Sequence, residues 1–101
     1  MTTTETKISR FEIEKLESAS ILLKALIHPT RLAVIDLLDQ HKEMSVTDFV
    51  DALNIPHPLL SHHLTDMKSK NILQSRREGQ RIYYSIKEKV VLGLLKCVQK
   101  L

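Results

Sequence analysis

Two glycines, three prolines, one cysteine, no tryptophan and 4% aromatic residues are spread over 101 positions. With two glycines the backbone has no glycine-rich loop to cradle a phosphate, and it is poorly supplied for a turn-rich, all-β fold. A lone cysteine, Cys97, cannot close an internal disulfide. No run approaches the ~18 consecutive apolar residues that suggest a membrane span. The opening MTTTETKISRFEIEK lacks a basic start followed by an apolar stretch, so no secretory leader is expected. These absences together point to the cytoplasm and away from a membrane. Nor is there a Ser-His-Asp order, a nucleophilic cysteine with a spaced histidine, or a pair of acids in a pocket-forming context, so an enzyme is not expected.

What remains is the composition of one soluble domain, 43% hydrophobic and 27% charged. The net charge of +3 is unevenly laid out. Residues 1–65 hold six Lys/Arg against nine Asp/Glu, net −3, whereas residues 66–101 hold nine against three, net +6. A basic end on a small domain suits a polyanion, although a solvated charged face would look the same.

Residues 1–8 are polar and Thr-rich, which predicts a flexible tail ahead of a single domain over 9–101. A first helix is expected from Ser9, with Phe11, Leu16, Leu23 and Leu26 at helical spacing. Its later part, ILLKALI, is apolar almost all round, as in a helix that is central or lies between subunits. His28-Pro29 ends it, and Pro29 opens a second helix, PTRLAVIDLLDQ. HKEM reads as a connection. Ser45 or Thr47 can cap a short third helix bearing Phe49, Val50 and Leu53, which Asn54 closes in a left-handed conformation. After IPHP a fourth helix runs from about Pro58 to Lys70, with Leu60, Leu64 and Met67 inward, and Asn71 is a second left-handed cap. ILQSRR and RIYYSI then flank Glu78-Gly79-Gln80 as a β-hairpin, with Ile82, Tyr84 and Ile86 on one face and Arg76, Arg77 and Arg81 at the tip. KEKVVLGLLKCVQKL closes the chain as a helical segment with Val90, Val91, Leu94, Leu95 and Val98 apolar. The fold class is mainly α with a β-hairpin wing. A helix pair joined by a tight turn and followed by a basic hairpin is the plan of a winged helix-turn-helix.

LIHPTRLAVIDLL followed by SHHLTDMKSKNILQSRREGQRIYYSI resembles the ArsR/SmtB family of bacterial repressors over roughly residues 20–90. Three marks carry it in order: the His-Pro-Thr-Arg start of the second helix, the Ser-His-His-Leu recognition helix, and the Arg-Glu-Gly and Tyr-Tyr of the wing. The resemblance implies a transcriptional repressor that binds double-stranded DNA at a near-palindromic operator. It also implies a homodimer built by the first and last helices, which could otherwise pack within one subunit. Base readers are implied at His57, Leu59, Ser61 and His62, with His63 facing the helix pair or a phosphate. Arg76, Arg77, Gln80 and Arg81 of the wing, with Lys68 nearby, are implied at phosphates or a minor groove. Pro56 and Pro58 depart from the family, which often has hydroxyl residues there, so the usual contacts at those two positions are lost.

Members of the family often sense metals, but here Ser45-Val46-Thr47-Asp48 stands where a Cys-Val-Cys-Asp run would hold a soft metal. On the last helix Glu88 matches the first acid, while Val90 and Leu101 fall where histidines would, so neither a metal nor another cofactor is expected. Cys97 is a candidate redox switch as well as a small core hydrophobe. The effector is thus open between none, an organic ligand, redox and an unusual metal. A winged-helix module that binds protein and has no DNA role is the competing function.

Overall fold

The computed structural model describes residues 10–101, and the expected flexible tail over 1–8 and the Ser9 cap lie outside those residues. Helix α1 spans Ile13–Leu26, with Glu12 at its N-cap and no side-chain cap. Helix α2 spans Pro29–His41. Its start is fixed twice over: Pro29 supplies a helical φ, and the His28 ring accepts from the Thr30 N–H at 3.1 Å. Lys42 ends α2 with φ +71° and ψ −47°, a conformation that L side chains rarely adopt.

HKEM, expected as a plain connection, contains a strand. β1, Glu43–Ser45, pairs antiparallel with β3, Arg81–Ile86, which also pairs with β2, Leu73–Glu78. The wing is therefore a three-stranded sheet in the order β1-β3-β2. Met44 sits opposite Tyr84 in that ladder, and both are buried. At the tip Glu78 pairs with Arg81, leaving a two-residue loop, and Gly79 has φ +62°. Glycine at the first loop position, where φ is positive, is the demand of a type II′ hairpin turn.

Helix α3, Val46–Leu53, is capped by Ser45 and Asp48 in a reciprocal capping box and closed by Asn54 at φ 54°, ψ 46°. Helix α4 runs His57–Ser69. Asn71, also at positive φ, turns the chain into β2. A short 3₁₀ turn, Lys89–Val91, leads into α5, Leu92–Gln99. Val91 is buried, but Val90, expected on the apolar side, is exposed.

Leu60, Leu64 and Met67 of α4 are fully buried against Phe49 of α3, with Leu26, Ile35 and Leu38 completing the core. These side chains fix the angle between the two helices that matter for recognition. Apolar surface remains outside this core. On α1, Ile21 and Leu23 are exposed, and Ile27 just beyond it is 76% exposed. Val98 of α5 and Leu101 after it are exposed as well.

Candidate nucleic-acid interface

The sequence Asn54-Ile55-Pro56 is the whole of the turn between α3 and α4. Asn54 takes the left-handed conformation that ends one helix, and Pro56 stands at the N-cap of the next with no side chain to cap it. Pro58 within the first turn removes a backbone N–H, so α4 presents fewer main-chain donors at its N-terminus than an ordinary helix. Prolines at both positions leave the turn few alternative conformations.

The core-facing residues Leu60, Leu64 and Met67 turn the opposite face of α4 outward. Leu59 and His62 are exposed there, Ser61 is half-buried beside them, and His57 is exposed at the first position of the helix. Histidine and serine can each donate to or accept from a base edge, and the leucine offers contact for a thymine methyl. Thr65, which sequence reasoning missed, lies exposed on the same face and donates its hydroxyl to the Ser61 carbonyl at 2.9 Å. Its signal was present in the sequence as a hydroxyl residue four positions after Ser61, one helical turn further along.

His63 requires a correction. It was expected near DNA, facing either a phosphate or the helix pair, and it is 6% exposed. Its Nδ1 accepts from the Arg31 Nε at 2.9 Å. Burial, followed by the Arg31 charge, holds the His63 pKa below 6.5. A buried, neutral ring oriented from α2 positions α4 rather than touching a phosphate. The same Arg31 donates through Nη1 to the Ala25 carbonyl at 2.9 Å and to Asp66 of α4 at 2.6 Å. Asp66 also accepts from Lys70 at 2.6 Å, and these two cations hold its carboxyl below the ordinary range.

The wing divides its arginines. Arg77, Gln80 and Arg81 are exposed around the tip, and Lys68 is exposed near the end of α4. Arg76 is not at the tip with them. It crosses the outer face of the sheet to pair with Glu43 of β1, contacts Glu78 at 3.4 Å, and lies over the Tyr83 ring at 4.8 Å. Glu43 holds the Arg76 guanidinium more firmly protonated, and its own carboxyl is lowered in return. An arginine bound this way must exchange carboxylates for phosphate before it can contact DNA.

Among the described residues no group of three or more His, Cys, Asp and Glu is placed to hold a metal ion. Asp48, which stands where the family's third-helix site has its acid, uses its carboxylate to accept from the Ser45 N–H at 2.9 Å. Cys97 is exposed and lines an apolar groove with Leu23, Leu26, Leu94 and Val98.

Residues 28–75 match the family model described as bacterial regulatory protein, arsR family. The transcriptional repressor PagR of Bacillus anthracis is 38% identical over 87 residues, which cover 86% of this chain and 87% of that one. The crystal structure of that repressor superimposes with a TM-score of 0.77, covering 86% of this chain and 99% of the other. A solution structure from Mycobacterium bovis, described as a homodimeric winged helix-turn-helix DNA-binding domain, is 33% identical with a TM-score of 0.73, covering 90% and 83%.

Proposed function

The chain belongs to the arsR family of bacterial regulatory proteins and is a winged helix-turn-helix regulator of transcription, and from that premise we propose that it is a homodimeric, cytoplasmic repressor of a near-palindromic operator. In this reading α4 enters the major groove with His57, Leu59, Ser61 and His62 toward base edges. Arg77, Gln80 and Arg81 of the wing, with Lys68, neutralise flanking phosphates. The observation that carries the reading is the outward face of α4. It combines side chains suited to base edges with a buried face that fixes its angle to α3.

Dimerisation through α1 and α5 is supported by the apolar side chains left exposed there. Leu23 of α1 and Val98 of α5 line one apolar groove together with Leu94 and Leu101, a contiguous apolar patch of the kind that marks an interface. A two-fold axis between such subunits sets two copies of α4 about one DNA turn apart, which calls for matching half-sites. Repression then follows from occupancy, since a dimer seated on a promoter excludes polymerase.

Fluorescence anisotropy on a duplex from the chain's own upstream region, beside a scrambled duplex, tests this across a salt series. Tight binding to the first alone, falling steeply with salt, is expected. Equal weak binding to both would count against a sequence-specific repressor acting at that region. A stable complex with an acidic protein that duplex DNA does not displace would point to an interaction module instead.

A further inference from the structure

Three parts of the chain that are remote in sequence line one cleft of about 470 Å³, formed where the end of α1, the start of α2 and the middle of α4 meet. Its polar wall is Lys24, His28, Arg31, His63, Asp66 and Lys70, and Ile21 and Ile27 supply an apolar side. The polar wall is rich in donors and short of acceptors. His63 spends its Nδ1 lone pair on Arg31, so the neutral ring carries its hydrogen on Nε2. That Nε2 is, among the described residues, the buried side-chain nitrogen or oxygen left without a hydrogen-bond partner. A buried donor in that state is costly and calls for an acceptor.

His28 is arranged the same way. Its Nδ1 accepts from Thr30, which puts the hydrogen of the neutral ring on Nε2, and its ring lies 4.5 Å from that of His63. Two imidazoles whose outer nitrogens both hold hydrogen offer no lone pair to a metal ion. Lys24 has no ion-pair partner among the described residues, while Arg31 and Lys70 share the one carboxylate of the cleft, Asp66. Three fixed cations against one anion repel a cationic ligand and attract an anion.

We propose that this cleft binds a small organic anion, a carboxylate carried on a compact apolar body, and that its occupancy weakens DNA binding. The carboxylate is met by Lys24 and the histidine N–H groups, and the apolar body lies along Ile21 and Ile27. The second half rests on the DNA-binding reading above. Arg31 joins the last turn of α1 to α4 through Ala25, His63 and Asp66, so an anion that competes with Asp66 for Arg31 and Lys70 loosens the seat of the recognition helix. It also places a negative charge behind the helix that must approach phosphates.

Benzoate is the probe, with benzyl alcohol as its neutral counterpart and sodium chloride to match ionic strength. The full chain is titrated while histidine ring nitrogens are followed by NMR, and the affinity for the upstream duplex is measured in parallel. Benzoate should shift the His63 Nε2 resonance saturably, and benzyl alcohol should not. Lys24→Gln, an exposed substitution that leaves the fold intact, should weaken benzoate about tenfold. Saturating benzoate should weaken DNA binding severalfold in the native chain, and Lys24→Gln alone should leave DNA affinity unchanged.

An equal response to benzyl alcohol, or no saturable shift by tens of millimolar, overturns the anion site. Benzoate binding with unaltered DNA affinity overturns the coupling. Loss of DNA affinity in Lys24→Gln without any probe would mean that the anion in the cleft is a DNA phosphate, which also overturns the proposal. A chain that binds benzoate but no duplex upholds the site and instead removes the repressor reading.

Discussion

The side chain of His63 ties the recognition helix to α2, and its surroundings disfavour the charged ring. Burial, then the charges of Arg31, His28 and His62, lower its pKa from 6.5, with Asp66 opposing them. The folded state therefore binds fewer protons there than the unfolded chain, so stability is fully present above pH 6.5 and is lost as pH falls from there through the folded value. Asp66 and Asp48 have lowered pKa values as well, but their contribution is lost only in acid, below about 3.8. Urea midpoints measured at pH 7.5 and 5.5 should thus decline, and His63→Gln, which keeps an acceptor for Arg31, should flatten that decline. The arginines of the wing separate by the same residue-level reasoning. Arg77→Ala and Arg81→Ala should each weaken DNA binding across all sequences and reduce the salt slope by about 1. Arg76→Ala, whose guanidinium is held by Glu43, should change the slope less and should remove the side-chain tie that spans β3 from β2 to β1. Identical slopes for all three variants would defeat this assignment.

The ends of the helices are where the elements are most open to change. Asp48→Ala removes half of the capping box on α3 and should cost about 1 kcal/mol in chemical denaturation. Lys42→Gly relieves a strained positive φ at the end of α2 and should stabilise the chain by about 0.5–1 kcal/mol. Thermal unfolding of the two variants should shift in opposite directions. Most of these elements were legible in the sequence because their signals are local. Period and caps marked α3 and α4, Asn54 and Asn71 marked left-handed turns, and Gly79 marked the tip of the wing. β1 was not legible, since three residues are too few to show alternation and its partner Tyr84 lies 40 positions away. The Arg31 network escaped for the same reason. Its partners His63 and Asp66 are 32 and 35 residues distant, and no periodicity within a helix encodes a contact between helices. Of the candidate site, Leu59 and His62 could be read from the face opposite Leu60, Leu64 and Met67, and His57 from its place in the first turn, whereas the burial of His63 depended on α2.

At the scale of the whole molecule, α1 and α5 should behave as one surface shared by two copies. Leu23→Glu or Val98→Glu should yield a monomer by analytical ultracentrifugation, with its helical content kept and its operator affinity lost. A stable dimer in both variants would place the interface elsewhere. The connection between wing and helix pair reaches further still. Ser45 pairs with Tyr83 in the sheet and, through its hydroxyl, caps α3. One residue thus rivets the hairpin to the first helix of the reading head, and the packing of Phe49 on Leu60 and Leu64 carries the join onward to the second. A head built in this way works as a caliper with a fixed jaw: the separation between its groove contact and its phosphate contact belongs to the protein. Fit must then be found by the DNA, so operators whose groove width and twist already match that gauge are favoured at base pairs that no side chain touches.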